Sequence, residues 1–426
     1  MSFSFPICRA AVAALMIAMG PPSWATDPLT LKEAQRIAVG RSQQLVAQNA
    51  LTAAAREQAA AASQLPDPVL KFGIDNLPSN GPDRLSLTRD FMTQRRIGLM
   101  QEIPRFEKRR FRAEKFEREA ERIQALQQLT LANVRQGTAL AWLDRYYAER
   151  QRELLQQQIE ETRLQVQAAD SAFRSNRGSQ ADVFAARAAA ATLQDRLSKI
   201  DRQSRSAGLM LARWVGASAA DRPGAGAPPW QSTPLQGDVS SAHIQRHPDL
   251  LAISAEIDAA ESEARLAQAS KKPDISLEAS YAQRGPAFSN MLSIGISIPL
   301  QWDPANRQNR ELGARLAMVD EAKARYEEMR RKTEAEIRSL LNEWQTGKER
   351  WVRYRDELIP LARQRTDATL AVYGTGKSGL AEVLSARRDE IEVRLQALTV
   401  EMETARVWAQ LNFLISDPQI SESAKD

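Results

Sequence analysis

Two kinds of apolar periodicity run along the chain, one short and one long. In the short segments apolar and polar residues alternate, so that Ile275, Leu277 and Tyr281 share one face while Ser276 and Glu278 lie on the other. A period of two predicts β-strands. The four alternating segments are residues 67–76, 94–104, 273–283 and 290–300.

The long segments have the period of an α-helix. Residues 106–173 contain no proline, and apolar side chains such as Leu126, Leu129 and Val134 recur at intervals of three and four. Residues 307–373 are similar and contain only Pro360. At 1.5 Å per residue, a helix of this size is roughly 100 Å long. A helix longer than any ordinary domain needs neighbours that bury its apolar stripe.

The same order of segments occurs twice, which indicates two tandem repeats. Each repeat has an alanine-rich helix, two strands, a long helix, a glycine-containing turn and a last helix. The predicted divisions are a signal peptide (1–25), a first repeat (26–216, long helices about 105–216), a Pro/Gly-rich linker (217–240), a second repeat (241–416, long helices about 304–415) and a tail (417–426).

The strand number constrains the role of the hairpins. One interpretation is two amphipathic hairpins on a soluble core. The other is membrane strands, which need about 9–11 residues with apolar side chains outward. An open sheet cannot lie in lipid because its edges leave peptide groups unpaired. A chain with four strands would therefore need partners, and three copies would supply twelve strands. A single long dimeric coiled coil remains an alternative for the helices.

The N-terminus has the pattern of a secretory signal peptide. Arg9 precedes an apolar run over residues 10–20, and Ser23-Trp24-Ala25 forms a small-x-small cleavage site. Cleavage would remove Cys8, the only cysteine, and leave no thiol chemistry.

Composition excludes several function classes. Aromatic residues make up only 6% of the chain, and the net charge of +5 comes from arginines interspersed with glutamates rather than from a basic block, so nucleic-acid binding is not expected. No nucleophile–base set or phosphate loop is present, so we expect no enzyme and no cofactor. His243 and His247 have i, i+4 spacing, but Pro248 favours a helix start there and we expect no metal site.

The two turns between long helices are similar in sequence. "FRSNRGSQADVFAAR" (173–187) aligns with "YGTGKSGLAEVLSAR" (373–387), so that an acid follows the aromatic residue by nine positions in both. Glycine permits positive φ, and asparagine tolerates it better than most residues. A simple interpretation is that these residues only reverse and cap helices.

Several of these segments, in this order and twice over, resemble the outer membrane efflux protein family, the TolC-type channel-tunnels. The resemblance covers nearly all of residues 28–416. It rests on "LTLKEAQRIAVGRSQQL", "RHPDLLAISAEIDAAE", "IGLMQEIPRFEKRR" and "IGISIPLQWDPANRQNRELGARL". "LPDPVLKFGIDNLP" is similar to members that serve heavy-metal pumps.

The resemblance implies a mainly α fold with transmembrane β-strands, in which each repeat has a β-hairpin and a long helical hairpin. It implies a homotrimer with a twelve-stranded barrel in outer membrane lipid and a helical tunnel in the periplasm. The partners would be a periplasmic adaptor and an inner-membrane proton-driven transporter, with heavy-metal cations as a candidate substrate. The alternative is a periplasmic coiled-coil adaptor or interaction protein, although adaptors contain lipoyl-like and barrel domains that this order of segments does not match.

The resemblance also implies roles for the two turns. They would be the periplasmic tips that dock the adaptor, and their residues are Gly374, Gly376 and Gly379 in the second turn and Asn176 and Gly178 in the first. Gly376 matches the tip glycine of the family, whereas Asn176 departs from it.

A gate at the tunnel entrance is the second implied site. Tyr373 would donate its hydroxyl to Asp182, and three copies of Glu382 would ring the opening and favour cations. A helix dipole would favour such acids in a first turn without any gate. Some members have a linking arginine where this chain has Ser378, beside Lys377.

Overall fold

The computed structural model describes residues 27–233 and 244–413. The expected signal peptide, the C-terminal tail, part of the linker and His243 lie outside these residues. The first-half elements are α1 (Leu31–Arg41), α2 (Gln43–Ser63), β1 (Val69–Asp75), β2 (Gln94–Ile103), α3 (Phe106–Arg174), α4 (Gln180–Val215) and α5 (Ala217–Ala220). Those of the second half are α6 (Pro248–Ser270), β3 (Ile275–Gln283), β4 (Met291–Ser297), α7 (Gln308–Arg353), a π-helical turn (Tyr354–Leu358), α8 (Ile359–Gly374) and α9 (Leu380–Phe413).

The longest element is α3, whose 69 residues correspond to about 100 Å. Only two residues separate it from the end of β2, so the chain passes directly from sheet to helix. It packs against α2 and α6 near the sheet and against α4 and α9 further away. These neighbours bury the apolar stripe that an isolated helix of this length would expose.

The equivalent run in the second half contains one local irregularity. Between α7 and α8 the helix widens into a π-helical turn at Tyr354–Leu358, immediately before Pro360. Proline has no N–H to donate and its ring collides with the carbonyl of the preceding turn. A π-turn accommodates this defect without ending the helix.

The four strands form one antiparallel sheet in the order β1-β2-β3-β4. Ile97 of β2 lies opposite Phe72 of β1 and Tyr281 of β3, and Tyr281 lies opposite Leu292 of β4. The central pairing of β2 with β3 therefore joins the two halves of the chain. β4 ends at Ser297, shortly before Pro299, which cannot donate to a ladder.

One face of the sheet is apolar and uncovered. Phe72 is 74% exposed and Ile294 is 79% exposed. The opposite face carries ion pairs: Lys71 lies 2.7 Å from Glu278, and Arg96 lies 3.1 Å from Asp75. The other large apolar residues exposed on the first face are Leu70, Ile74, Ile97, Leu99, Leu277, Tyr281, Leu292 and Ile296.

Both edges of the sheet are unpaired within the described residues of this single chain. β1 and β4 are each seven residues long, and all seven residues of β4 are exposed. An uncovered edge of this length exposes a row of free N–H and C=O groups. The sheet as it stands in one chain is thus an incomplete structure.

The main core lies along the middle of the helices and contains most of the tryptophans. The Trp142 indole donates to the Leu29 carbonyl at 2.9 Å, and its ring stacks on Tyr146 at 5.0 Å. In the second half the Trp344 indole donates to the Trp230 carbonyl at 2.8 Å. The two contacts span 113 and 114 residues, so corresponding indoles hold corresponding extended segments in both halves.

None of the helices within residues 27–233 and 244–413 combines the length and apolar character needed to cross a membrane.

Candidate functional site

The two helical turns expected at the tips have the same backbone hydrogen bonds. At the first, the Asn176 amide donates to the Phe173 carbonyl at 3.0 Å. At the second, the Gly376 amide donates to the Tyr373 carbonyl at 2.9 Å. The next amide, of Arg177 or Lys377, returns to the carbonyl five residues earlier in both. The similar sequences thus form the same reversal of direction.

Only one residue of each turn adopts the left-handed conformation. Asn176 has φ of 56° and Gly376 has φ of 74°. Positive φ does not occur at Gly374 or Gly379, so Gly376 alone uses the conformational freedom of glycine in the second turn. Gly178 does not displace the first turn, because Asn176 itself occupies the position of Gly376.

Substitution of Asn176 tests the first turn. Asn176→Val is expected to destabilise it by about 1–2 kcal/mol, since a β-branched residue is strained at positive φ. Proteolytic cleavage within residues 171–180 should become roughly 5–30 times faster if cleavage follows local opening. Asn176→Gly is the matched control and should cleave at the wild-type rate. Equal rates for all three proteins would contradict this conformational role.

The helices that follow the two turns begin differently. Ser179 caps α4: its hydroxyl accepts from the Asp182 amide at 3.1 Å, and the Asp182 carboxylate accepts from the Ser179 amide at 3.0 Å. Gly379 occupies the corresponding place before α9 and has no side chain for a cap. The Asp182 carboxylate is therefore engaged within its own helix start, whereas the exposed Glu382 carboxylate has no hydrogen bond or ion pair among the described residues.

The hydroxyl and amide of Ser179 hold the pKa of Asp182 below its usual range. A lowered folded-state pKa stabilises the fold above the ordinary pKa of about 4, and this contribution is lost as pH falls through the folded value.

Ser179→Ala removes the cap, at a cost of about 1 kcal/mol. At pH 7 the first-turn amides of α4 should then exchange hydrogen about five times faster. The first turn of α9 is an internal control, and equal acceleration at both helices would contradict a local cap.

The two turns are held together by an apolar cluster, defined here as the tip cluster. Tyr373 is partly buried against it. The cluster joins α3, α4 and α9, so the first helical hairpin and the start of the last helix form one unit. Its buried members are Ala169, Val183, Ala186, Leu380, Val383 and Leu384.

The structure brings the expected gate residues into one region without joining them by a bond. Within the described part of the chain the Tyr373 hydroxyl has no hydrogen-bond partner, and it does not donate to Asp182. Ser378 has a buried hydroxyl without a partner among these residues, and Lys377 is exposed. Tyr373, Glu382 and Lys377 are therefore available to groups outside this chain.

A buried charge network lies above the tip cluster and was not singled out from the sequence. Glu390 is only 2% exposed and lies 2.6 Å from Arg394 and 3.3 Å from Arg387. Arg387 also lies 3.0 Å from Glu161 of α3. The i+3 and i+4 spacings of these residues were visible in the sequence, but many exposed pairs on the same helices share them.

The histidine spacing does not make a metal site in the described residues. His247 precedes α6, and its Nδ1 accepts from the Asp249 amide at 3.3 Å, which is a helix cap. Burial lowers the pKa of His247. Residues 27–233 and 244–413 contain no group of three or more His, Cys, Asp or Glu side chains arranged to hold a metal ion.

Comparison with known proteins relates this architecture to outer-membrane channels. Residues 239–416 match the family model described as "Outer membrane efflux protein". No curated protein matches the sequence significantly.

Solved structures share the fold over most of their length. The outer membrane channel CmeC of Campylobacter jejuni is 14% identical, with a TM-score of 0.74 over 99% of this chain and 97% of that one. CusC is 15% identical, with a TM-score of 0.76 over 97% and 99%. The open state of the MtrE outer membrane channel of Neisseria gonorrhoeae is 17% identical, with a TM-score of 0.73 over 90% and 88%.

The resemblance predicted from the sequence is thereby confirmed: the chain has the mainly helical fold of these outer-membrane channels, and residues 239–416 match the outer membrane efflux protein family.

Proposed function

We propose that this protein is the outer-membrane channel of a tripartite efflux system, a passive exit duct and not an enzyme. The observation that carries the proposal is the four-stranded sheet with one uncovered apolar face, joined directly to helices about 100 Å long. An uncovered apolar face is stable in the hydrocarbon core of a lipid bilayer. That core is about 30 Å thick, so a helix of this length extends far beyond it.

The working form is a homotrimer. Three copies would close a barrel of twelve strands if β4 of each copy pairs with β1 of the next, which leaves no edge in lipid. The matching lengths of these two strands, seven residues each, support this closure. The polar face with Lys71 and Glu278 would then line the water-filled interior, as in other outer-membrane barrels.

The two repeats, 26–216 and 241–416, each contribute one hairpin to the barrel and one pair of long helices to a periplasmic tunnel. The tips at Asn176, Gly178 and at Gly374, Gly376, Gly379 are proposed to dock a periplasmic adaptor. An inner-membrane proton-driven transporter would load the tunnel through this assembly. The shared hydrogen-bond pattern of the two turns supports docking at both.

The entrance gate is proposed to consist of Asp182, Tyr373 and Glu382. Tyr373 has a hydroxyl free within the described chain, so it can donate to Asp182 of a neighbouring copy. Three exposed Glu382 carboxylates would form a ring of like charge, which favours cations. Lys377 is the cation next in sequence to Ser378, where some family members place a linking arginine.

Heavy-metal cations are the proposed substrate class. The similarity of residues 65–78 to channels of heavy-metal pumps and the cation preference of a Glu382 ring support this choice.

Single-channel recording in planar bilayers tests the channel and its gate. The wild-type trimer should form a cation-selective pore of low conductance, whereas Tyr373→Phe should raise conductance by removing the donor. Glu382→Ala should lower cation-over-anion selectivity by about five-fold, which corresponds to roughly 1 kcal/mol for nearby charges in water. An unchanged pore in both variants would contradict the gate residues, and the absence of any pore from folded protein would contradict the channel.

A further inference from the structure

The segment that follows the sheet carries exposed aromatic residues at both strand exits. After β2, Phe106 is 70% exposed, and after β4, Trp302 is 87% exposed. Both lie where the apolar face of the sheet gives way to helix. Aromatic residues at such positions are typical of the boundary between the hydrocarbon core and the lipid headgroups.

Arginines without carboxylate partners surround Phe106. Arg105, Arg109, Arg110 and Arg112 lie within eight residues, and none makes an ion pair with a described residue. This differs from the following turns of α3, where Arg118 and Arg122 pair with glutamates at 2.7 and 2.6 Å.

The carboxylates near this segment are already occupied by other cations. Lys108 lies 2.9 Å from Asp274, and Lys272 lies 2.9 Å from Glu107. Glu114 is bound by Arg265 at 2.8 Å. Arg110 and Arg105 interact with the Glu107 carboxylate through space, but no described carboxylate forms an ion pair with the arginines beside Phe106.

Arg109 is the most constrained of these arginines. One of its Nη atoms donates to the Ser63 carbonyl at 3.3 Å, whereas its Nε is buried and has no partner. Arg109 and Arg110 line a crevice of about 420 Å³ with Phe106 and Ser63. Further along α3 the crevice is also lined by Arg118 and by three carboxylates, those of Glu114, Glu117 and Glu121. Glu114 is paired with Arg265 and Glu121 with Arg118, and Glu117 lies about 10 Å along the helix from Arg110, at the end far from the sheet.

A phosphodiester fits these features. Guanidinium groups bind phosphate oxygens with charge-assisted hydrogen bonds, and a buried donor without a partner is costly until an acceptor reaches it. Basic side chains next to a membrane attract anionic lipids by about 1 kcal/mol each. The exposed Phe106 ring provides an apolar contact for the start of the acyl chains.

We propose that Arg109 and Arg110, beside Phe106, form a binding site for the phosphate of an anionic glycerophospholipid in the leaflet that faces the periplasm. This inference rests on the proposed function, because it requires the apolar face of the sheet to lie in lipid. The ligand is a membrane lipid and not free phosphate, since Phe106, which lines the crevice, lies three residues after the end of β2, one of the strands that bear that face.

Native mass spectrometry of the detergent-solubilised trimer with added phosphatidylglycerol or phosphatidylcholine tests the site. Wild-type protein should retain phosphatidylglycerol in preference to phosphatidylcholine. Arg109→Ala/Arg110→Ala should bind phosphatidylglycerol about 30-fold more weakly, from two basic contacts. Arg152→Ala/Arg163→Ala is the matched control, because these arginines pair with Asp201 and Glu160 further along α3 and lie outside the crevice; it should bind as wild type. Trimer mass verifies folding of each variant.

Equal binding of the two lipids, or equal losses in both double variants, would overturn the site. Displacement of phosphatidylglycerol by inorganic phosphate would overturn the lipid as ligand. A wild-type protein that forms a pore but shows no lipid preference contradicts this inference alone. A protein that enters no bilayer contradicts the proposed function itself.

Discussion

Ile294→Lys is expected to prevent assembly in the outer membrane, although the residue is largely exposed in a single chain. The side chain is 79% exposed and lies in the middle of β4 on the apolar face. A lysine near the bilayer midplane of a β-barrel costs about 2–4 kcal/mol, and a trimer would incur this cost three times. Cell fractionation should show loss of the trimer from the outer membrane.

Ser293→Lys is the matched control for this experiment. Ser293 neighbours Ile294 and lies opposite Ser280, on the face that carries the ion pairs. A lysine there would enter the water-filled interior and should leave assembly intact. If the sheet instead covered a soluble core, a lysine at an exposed position would be within about 0.5 kcal/mol of neutral. Normal assembly of Ile294→Lys would therefore contradict a lipid-facing sheet.

Val383→Asp is expected to open the tunnel entrance. Val383 is 1% exposed within the tip cluster, which joins α9 to the first helical hairpin. Loss of the buried valine and burial of an unpaired carboxylate together cost roughly 3–5 kcal/mol. The tips should separate, and the conductance of the purified trimer in a planar bilayer should rise.

Ala381→Asp separates the effect of burial from the effect of charge. Ala381 lies two residues earlier on α9 and is exposed, so its carboxylate would remain in water. This variant should keep wild-type conductance or increase cation selectivity only. Equal opening by both variants would show that added negative charge, and not disruption of the tip cluster, controls the entrance.

Many of the strands and helices were predictable from local sequence patterns, because such patterns depend on only a few neighbouring residues. A period of two at Ile275, Leu277 and Tyr281 indicates a shared face whatever the strand pairs with. The absence of proline from 106–173 likewise indicates a continuous helix, observed as α3. Resemblance of several such segments in order predicted the mainly helical channel fold, which the solved structures confirm.

Details that depend on distant parts of the chain were not predictable. Nothing local in Trp142 indicates that its indole binds the Leu29 carbonyl 113 residues away. The buried position of Glu390 is equally unmarked, because its Arg387 and Arg394 neighbours have the spacing of ordinary surface pairs. Such contacts follow from how helices pack and not from their own periodicity.

The positions of the two turns were predictable, but the hydrogen bonds of the residues around them were not. Similarity between residues 173–187 and 373–387 located both turns, whereas glycine content did not indicate which residue of each adopts positive φ. Asp182 follows Ser179 at the spacing of a capping box, and the structure uses it in this way. A contact of Asp182 with Tyr373 would have to compete with this cap or form between copies.

Electron cryomicroscopy of the purified protein in lipid nanodiscs tests the central claim most directly. The account predicts a particle with threefold symmetry in which β4 of each copy pairs with β1 of the next, so that twelve strands close in the bilayer. The long helices should extend about 100 Å from the bilayer and meet at the turns that contain Asn176 and Gly376. A monomer or dimer whose sheet keeps free edges, or whose apolar face lies against protein rather than lipid, would contradict the account.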